Sequence, residues 1–384
     1  MKKKIVRITT IPLSLKVLLK GQLRYMSNYY EIVAISSPEP ILEKVASEEE
    51  VRTKAVLLTR KITPIKDFVS IIKLYLILRK EKPFIVHTHT PKAGLVGMIA
   101  ARLAGIKHRL HTVAGMPLLE SSGVRRKILL LVEWFTYRFA TRIYPNSYVL
   151  SDIITSELRL CKKDKVKIIG NGSSNGIDTE YFKPLNKREL DSFKLNLNIS
   201  NNDFVFTFVG RVVKDKGINE LVDAFYKLNS IHSNTKLLLV GPYENGLDPI
   251  NKNTKIRIDS CESIVHTGFI EDIRPYLAIS DLFVFPSYRE GFPNVVMQAG
   301  SMGIPSIVTN INGCNEIIEN GINGLIIPSK DSDSLYKAML ELYQNNEKRN
   351  KMASVTREMI ATKYEQQLVW NSLLKEYQSL EKYV

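Results

Sequence analysis

A carboxylate and a Gly-Phe-Pro turn lie between a predicted strand and the predicted helix that follows it. The apolar run 281–285 is typical of a buried parallel strand, and a helical pattern begins near Pro293. In open α/β sheets ligands bind at the carboxyl ends of strands, and a helix that begins there offers unpaired N–H groups to an anion. Glu290, which lies between the two, can accept hydrogen bonds from hydroxyl groups. The pattern therefore predicts a binding site within residues 287–298.

A second loop of this kind follows an earlier predicted strand, at residues 209–217. Gly210 lets a ligand approach the backbone closely. Arg211 can donate two parallel hydrogen bonds to phosphate oxygens, and Lys216 can add a positive charge. Taken alone, these residues also fit an exposed basic loop. Taken together, the two loops predict a binding site for a sugar diphosphate.

Gln298 extends the first of these sites along its helix. In a helix that starts after Phe292, Gln298 lies about 12 Å from Glu290 at 1.5 Å per residue. This distance roughly matches the span from the sugar to the ribose of a nucleoside diphosphate sugar. Glu290 is therefore a candidate for sugar hydroxyls and Gln298 for ribose hydroxyls, although each residue alone also fits a surface or helix position without a ligand.

Strands and helices alternate in the first half of the chain. The predicted strands are the apolar runs 5–8, 32–35, 55–58, 84–87, 109–112, 143–145 and 166–169. Segments 65–79 and 91–104 between them have apolar residues near helical spacing. Such alternation predicts a parallel, doubly wound sheet with helices on both faces.

The second half of the chain repeats this scheme. Its predicted strands are 204–209, 236–240, 264–267, 282–285, 306–308 and 325–327, and its predicted helices include 218–228, 333–347 and 351–381. A basic, loop-like stretch between the halves predicts a boundary, which gives a first domain at 1–190 and a second at 191–368. We therefore predict an α/β fold of two Rossmann-like domains that face a cleft, the default active site.

Three motifs in fixed order resemble the retaining glycosyltransferases of family 4, which have the GT-B fold. They are Gly210-Arg-x4-Lys216-Gly, Glu290-Gly-Phe-Pro-x4-Gln298 and Gly313-x2-Glu316-x4-Gly321-x2-Gly324. The resemblance covers essentially the whole chain and is strongest for bacterial members that extend lipid-linked polysaccharide, capsule or O-antigen units. Segments 111–117 and 170–178 are similar to the same subgroup. The resemblance also implies that a final helix, 369–384, returns to the first domain.

The resemblance implies a role for each matching position. Arg211 and Lys216 match residues that hold the donor diphosphate, and Glu290 matches the first glutamate of the family's E-x7-E motif, which touches the donor sugar. The second glutamate, which holds the ribose, is Gln298 here; the loss of a charged acceptor costs on the order of 1–2 kcal/mol in donor binding. The implied donor-binding residues are Gly210, Arg211, Lys216, Glu290, Gly291, Phe292, Pro293, Asn294 and Gln298. The implied catalytic residues are His111, Glu290, Arg211 and Lys216.

Three histidines end predicted strands of the first domain. His111 matches a family histidine near the donor sugar and the acceptor, and His87, His89 and Asn171 are further candidates on the acceptor side. A metal site is disfavoured, because we expect His87 and His89 to point to opposite faces of the sheet and no carboxylate lies close in sequence. The pair Asp331 and Asp333 precedes a helix, so we interpret it as a helix cap and not as a metal ligand.

Positive charge is concentrated in the first part of the chain. The chain carries a net charge of +15, and residues 1–169 hold 31 Lys and Arg against 13 Asp and Glu. Such a surface attracts acidic lipid, phosphorylated substrates or nucleic acid, but no nucleic-acid-binding module is recognisable. The predicted helix 123–142 has a basic start and an apolar face. It fits a membrane-facing helix, to whose basic surface Lys2–Lys4, Lys16, Lys20 and Arg24 can add, and it fits better a crossover helix buried against the sheet.

These patterns predict a soluble, cytoplasmic enzyme that associates peripherally with the inner face of the plasma membrane. No signal peptide or membrane span is recognisable, and the three cysteines are scattered. The predicted partners are a nucleotide-sugar donor, a polyprenyl-diphosphate-linked acceptor and anionic inner-leaflet lipid, with no nucleic acid, cofactor or metal. The alternatives are a catalytically idle GT-B protein that binds lipid or a partner enzyme, and a nucleotide-sugar epimerase of related fold. A dehydrogenase is disfavoured, because no predicted strand is followed by Gly-x-Gly-x-x-Gly.

Overall fold

The computed structural model describes residues 2–59, 63–186, 190–244, 246 and 248–382. The chain divides into two compact units: the first runs to Gly176 and resumes at Gln366, and the second is Ile177–Glu365. The sequence placed these boundaries after residues 190 and 368. The structure assigns residues from Ile177 onward to the second unit, because Ile177 donates its N–H to the carbonyl of Tyr364 at 2.8 Å and Leu190 is buried in that unit's core.

The first unit alternates strands and helices. Its elements up to Gly176 are β1 (Lys4–Ile8), α1 (Pro12–Leu18), α2 (Gln22–Ser27), β2 (Glu31–Ser36), α3 (Ile41–Glu49), β3 (Arg52–Ala55), α4 (Pro64–Glu81), β4 (Ile85–Thr88), α5 (Pro91–Leu103), β5 (His108–Val113), α6 (Gly123–Phe139), β6 (Arg142–Pro145) and α7 (Tyr148–Asp152). The strands form one parallel sheet in the order β3-β2-β1-β4-β5-β6.

The second unit repeats the arrangement. Its elements are α8 (Leu190–Asn196), β7 (Phe204–Val209), α9 (Ile218–Asn229), β8 (Thr235–Val240), α10 (Lys252–Ser260), β9 (Ile264–Gly268), α11 (Arg274–Ala278), β10 (Leu282–Phe285), α12 (Asn294–Ser301), β11 (Ser306–Thr309), α13 (Cys314–Ile317), β12 (Gly324–Ile327), α14 (Ser332–Gln344) and α15 (Asn346–Tyr364). The strands form a second parallel sheet in the order β12-β11-β10-β7-β8-β9. The predicted α/β class with two doubly wound sheets is confirmed.

The last helix, α16 (Gln366–Glu381), packs within the first unit. Tyr377 of α16 is fully buried, and its hydroxyl lies 2.6 Å from Nδ1 of His87. Glu376 accepts a hydrogen bond from the hydroxyl of Tyr144 at 3.1 Å and also forms an ion pair with Lys167. The first sheet is thus covered by α1, α2, α3 and α16 on one face and by α4, α5 and α6 on the other, each with its own apolar cluster.

Three predicted elements differ from the structure. The run 55–58 is not a strand; β3 ends at Ala55, and the buried side chains of Val56 and Leu58 lie in the loop that follows this edge strand. The run 166–169 forms one isolated bridge, from Val166 to Ile143, and no strand. The predicted helix 351–381 is two helices, because the backbone at Glu365 is extended, with φ −54° and ψ 134°.

Helix α6 connects β5 and β6, but only one of its sides is buried. Glu133, Thr136 and Tyr137 face the interior, whereas Trp134 and Phe135 are 45% and 37% exposed. The interpretation of a helix buried against the sheet is therefore correct for one side and wrong for the aromatic side. Among the helices of the described ranges, none combines the length and apolar character needed to span a bilayer.

The buried Glu133 gives the first unit a predicted pH dependence. Burial raises the pKa of Glu133 to about 7, so the folded state prefers the protonated carboxyl and the free energy of unfolding falls as the pH rises from about 4.5 to 7. Glu133→Gln should therefore stabilise the protein more at pH 8 than at pH 5, by about 1–3 kcal/mol in urea unfolding.

Glu81 is the matched control for this prediction, because its pKa is shifted in the opposite direction. Burial opposes its ionisation, but hydrogen bonds from Lys4, Lys54 and Arg52 lower the pKa of Glu81 to about 2. Its contribution to stability is present above about pH 4.5 and is lost as the pH falls towards 2, so Glu81→Gln should destabilise the protein at pH 8. Equal responses of the two variants at pH 8 would show that burial does not set the charge of Glu133.

Candidate functional site

The two loops singled out in the sequence leave neighbouring strands of the second sheet. β7 and β10 are paired, and the chain continues from β7 to β8 on one side and from β10 to β11 on the other. The strand order therefore reverses between β7 and β10. In doubly wound sheets the crevice at such a reversal, at the carboxyl ends of the strands, is the usual ligand site. The fold places the loop that begins at Gly210 and the loop that contains Glu290 at this position.

Glycines let the loops of this edge pack backbone against backbone. A Cβ on Gly241 would lie 1.9 Å from the carbonyl oxygen of Gly210, and one on Gly313 would lie 2.5 Å from that of Gly291. A Cβ on Gly217 would lie 2.1 Å from the carbonyl oxygen of Pro286. These three glycines also have positive φ, which other residues adopt at a cost. The sequence analysis did not identify Gly241 as a site residue, although Gly241 follows β8 directly, just as Gly210 follows β7.

Lys216 and Glu290 form an ion pair. Their side chains are 16% and 15% exposed, so water screens the pair only partly. The hydroxyl of Ser287 donates a second hydrogen bond to the same carboxylate, at 2.8 Å. The side-chain amide of Asn312 donates to the carbonyl of Glu290 and fixes the backbone of the turn. The sequence analysis gave Ser287 no role of its own, and it missed Asn312, whose partner is a backbone carbonyl far away in the chain.

Arg211 lies at the more exposed side of this edge. Its side chain is 46% exposed and forms an ion pair with Glu244, which the sequence analysis did not identify. A neighbouring pair joins Arg289 to Asp215 at 2.7 Å, and the hydroxyl of Tyr288 donates to Glu220 at 2.6 Å. Arg211, Lys216 and Arg289 are thus each paired with a carboxylate, and an anion that binds at Arg211 and Lys216 has to displace these carboxylates.

The N-terminus of α12 faces this site without a side-chain cap. Pro293 precedes the helix, and no side chain of the described residues hydrogen-bonds to its first N–H groups. The helix begins at Asn294, which is half-buried, and Phe292 is buried against the ring of Tyr364 at 5.3 Å. The free N–H groups and the helix dipole at this end suit an anion.

Gln298 lies one turn further along α12. It is half-buried, and its side-chain oxygen Oε1 is buried without a hydrogen-bond partner among the described residues. A buried carbonyl oxygen without a donor is costly, and a ligand hydroxyl would satisfy it. The structure therefore leaves this oxygen available for the role that the sequence predicts, which is to accept a hydrogen bond from a ribose hydroxyl.

The histidines of the first unit are buried and neutral. The rings of His87 and His89 lie 4.2 Å apart. The expectation that they point to opposite faces is wrong, because residues two apart along an extended chain lie on the same face. Nε2 of His87 lies 2.8 Å from the hydroxyl of Thr112, and the guanidinium Nε of Arg7 donates to Nε2 of His89 at 2.9 Å. Burial, together with the charge of Arg7, holds the pKa of both histidines well below the ordinary value.

His111 is buried near the same edge of the first sheet. Its Nδ1 lies 2.7 Å from the hydroxyl of Thr88, and burial lowers the pKa of His111 to about 3. The ring packs so closely on Gly94 that a Cβ there would lie 2.5 Å from it. At pH 7 a neutral imidazole held in this way can donate one hydrogen bond and accept another. It is not an imidazolium and so does not act as a cationic acid. Asn171 is exposed in the turn that follows residue 169.

The acidic pair after β12 is structural. The carboxylate of Asp331 accepts the backbone N–H of Ser334 at 2.9 Å, which is the predicted N-cap of α14, and these hydrogen bonds lower the pKa of Asp331. The prediction of a cap is therefore confirmed. Within the described parts of the chain, no group of three or more His, Cys, Asp or Glu side chains is placed to hold a metal ion.

Comparison with known proteins agrees with these observations. Residues 190–359 match the family model described as glycosyl transferases group 1, and residues 14–147 match the model described as glycosyl transferase 4-like. The chain is 32% identical to the capsular polysaccharide biosynthesis glycosyltransferase CapM of Staphylococcus aureus, over 99% of this chain and 98% of CapM. It is 35% identical to the UDP-Gal:alpha-D-GlcNAc-diphosphoundecaprenol alpha-1,3-galactosyltransferase of Escherichia coli, over 74% of this chain and 73% of that enzyme.

A solved structure supports the fold independently. HepE of Anabaena, crystallised in complex with UDP, superimposes with a TM-score of 0.83 at 18% identity and covers 99% of this chain and 100% of HepE. At this identity the likeness concerns the fold alone. The full-length match to CapM, the two family models and the ordered motifs at the carboxyl edge of the second sheet together confirm the family predicted from the sequence. The chain belongs to the family 4 type of glycosyltransferases, with the GT-B fold.

Proposed function

We propose that the chain transfers a hexose-type sugar from a nucleoside diphosphate sugar to a lipid-linked saccharide during the synthesis of surface polysaccharide. The observation that carries the proposal is the arrangement of Arg211, Lys216, Glu290 and the uncapped α12 around one strand reversal. The names of two relatives support the reaction class: CapM is a capsular polysaccharide glycosyltransferase, and the E. coli enzyme uses UDP-Gal and an acceptor linked to diphosphoundecaprenol. We propose a UDP-linked hexose or N-acetylhexosamine as the donor.

The proposed chemistry depends on the departure of the diphosphate. Negative charge develops on the leaving group as the glycosidic bond breaks, and preorganised cations and N–H dipoles stabilise it. Lys216, Arg211 and the first N–H groups of α12 supply these charges. Glu290, released from Lys216 by the incoming diphosphate, accepts hydrogen bonds from the hydroxyls of the donor sugar.

We propose that the transfer proceeds with retention at the anomeric carbon and without a metal ion. The acceptor hydroxyl attacks from the same face, and the departing phosphate takes up its proton. Of the first-unit candidates, His111 is the one we propose for hydrogen bonding to the sugar, and its low pKa fits a neutral role. His87, His89 and Asn171 remain proposals for the acceptor side.

A thermal-shift panel of nucleotide sugars tests this function. A ligand that binds the folded state at 100 times its Kd stabilises it by about 2.7 kcal/mol, which shifts the melting temperature measurably. We expect a specific response to one nucleoside diphosphate sugar and a smaller one to its nucleoside diphosphate. A catalytically idle protein would respond to none, and an epimerase would convert the hit without an acceptor.

Gln298→Glu should bind the donor more tightly than the natural protein. A carboxylate accepts hydrogen bonds from two ribose hydroxyls more strongly than an amide oxygen does, by about 1–2 kcal/mol or roughly 5–30-fold in Kd. Calorimetric titration with the nucleoside diphosphate measures the change. Gln298→Leu is the control and should bind more weakly. Unchanged or weaker binding by Gln298→Glu would show that position 298 does not contact the ribose.

We also propose that the protein works at the cytoplasmic face of the plasma membrane, where it binds anionic lipid through its basic first unit. The uneven charge of residues 1–169 supports this location. The protein should sediment with vesicles that contain phosphatidylglycerol and dissociate as the salt concentration rises from 0.05 to about 0.5 M, because screening shortens the range of the attraction. Absence of binding at low salt would contradict the location.

A further inference from the structure

Helices α4, α5 and α6 lie side by side on one face of the first sheet and expose large apolar side chains. α5 packs against both α4 and α6. On α4 the exposed residues follow helical spacing, from Ile65 and Phe68 to Ile72 and Leu76, and Ile65 is 83% exposed. The exposed apolar residues of the three helices are Ile65, Phe68, Val69, Ile72 and Leu76 of α4, Leu103 of α5, and Val124, Ile128, Leu131, Trp134 and Phe135 of α6.

The described residues of these three helices include exposed cations and no exposed carboxylate. The exposed basic residues of the three helices are Lys66, Lys73, Arg79, Lys80, Arg102, Arg125, Lys127 and Arg138. Their acidic residues are withdrawn from the surface: Asp67 is 14% exposed and pairs with Lys92, Glu81 is 6% exposed and pairs with Lys4, and Glu133 is buried. The outer surface of these helices therefore combines apolar side chains with uncompensated positive charge.

Several of the other basic residues considered in the sequence analysis are paired with carboxylates. Lys3 pairs with Glu381 at 3.2 Å and Lys16 pairs with Glu48 at 2.9 Å. Arg24 contacts Glu50 at 3.3 Å. Lys3, Lys16 and Arg24 are thus matched by carboxylates, and this part of the unit offers an anionic surface less attraction than the outer surface of α4, α5 and α6.

We infer that the outer surface of α4, α5 and α6 is the membrane-docking surface of this protein. The apolar stripes would enter the boundary between headgroups and acyl chains, and the cations would lie at the level of the phosphates of anionic lipids. A second copy of the chain is the poorer occupant, because a symmetric contact would bring like charges together. The inference deepens the membrane association proposed above and rests on it.

Vesicle binding by paired variants tests the inference. Phe68→Asp combined with Leu131→Asp replaces two exposed apolar residues with the charge that anionic lipid repels. We expect its affinity for phosphatidylglycerol vesicles to fall at least about tenfold, because each buried side chain of this size contributes strongly to partitioning. Leu13→Asp combined with Val17→Asp is the matched control on α1, where exposure is 44% and 53%. The control pair should bind as the natural protein does.

Trp134 reports the contact directly. It is 45% exposed, whereas the other tryptophan, Trp370, is 8% exposed. Vesicles with brominated acyl chains should quench the emission of the natural protein on binding, and they should quench Trp134→Phe much less. Quenching that persists in Trp134→Phe, or binding that is equal in all variants, would overturn the inference while the membrane association stands.

Two further outcomes separate this inference from the proposed function. If the natural protein binds no anionic vesicle, both the docking surface and the membrane association fail. If the α4 and α6 variants convert an oligomer to a monomer without any vesicle binding, a second copy covers this surface and the inference is wrong. Sugar transfer to a short-chain, water-soluble acceptor should be unchanged in Phe68→Asp combined with Leu131→Asp, so loss of docking and loss of catalysis are measured separately.

Discussion

Lys216→Ala is expected to lower kcat/KM for sugar transfer by about 10²–10³-fold, in the range observed when one preorganised donor to a developing negative charge is removed. The side chain of Lys216 is 16% exposed and already lies against Glu290, so its charge is held in place before the substrate arrives. Its removal takes away a cation from the leaving diphosphate. It also leaves the carboxylate of Glu290 partly buried without its partner, which repels the incoming diphosphate. Steady-state kinetics with the donor identified in the thermal-shift panel measures the effect.

Neighbouring positions provide the controls. Lys214 lies two residues away and is exposed, so Lys214→Ala should retain nearly normal kinetics. Arg211→Ala should lower kcat/KM less than Lys216→Ala, because Arg211 is 46% exposed and water screens its charge. Nearly normal activity of both Lys216→Ala and Arg211→Ala would contradict the role assigned to these residues in holding the diphosphate.

Gly241→Ala is expected to destabilise the second unit and abolish donor binding. The new Cβ would lie 1.9 Å from the carbonyl oxygen of Gly210 and 2.7 Å from its carbonyl carbon, and φ at this position is 148°. Backbone atoms cannot move aside as a flexible side chain can, so the loop after β7 must shift and take Arg211 with it. We expect a loss of at least about 2 kcal/mol in the free energy of unfolding.

Chemical unfolding, together with calorimetric titration of the nucleoside diphosphate, measures both effects. Gly246→Ala is the control in the same segment, because a Cβ there meets no atom within 4 Å. This variant should unfold and bind as the natural protein does. If Gly241→Ala is as stable as Gly246→Ala and binds the nucleotide normally, the close approach of the two loops is not required for the site.

The strands of the second sheet were the most predictable part of the fold. β7 and β10 have the predicted bounds, because strands buried on both faces of a parallel sheet are continuous apolar runs. The edge strand β3 has half-exposed residues and lacks this signal, so the apolar residues that follow it were taken for the strand. The break between α15 and α16 at Glu365 was also not predicted, because neither glycine nor proline lies at this position.

The sequence identified Arg211, Lys216 and Glu290 but not how they meet. It assigned Lys216 to the diphosphate and Glu290 to the sugar, whereas the structure joins them in one ion pair. This pairing depends on the contact between two loops far apart in the chain, which no local pattern encodes. Gly241 and Asn312 were missed for the same reason, because their partners are backbone atoms of those loops.

A crystal structure of the whole chain with a bound nucleoside diphosphate tests the central claim most directly. That claim is that the carboxyl edge of the second sheet, at the reversal between β7 and β10, holds the diphosphate of the donor. We predict that the diphosphate oxygens contact Lys216, Arg211 and the first N–H groups of α12, with the ribose beside Gln298. A nucleotide bound elsewhere on the chain, or at this edge with its diphosphate turned away from Lys216 and α12, would contradict the account.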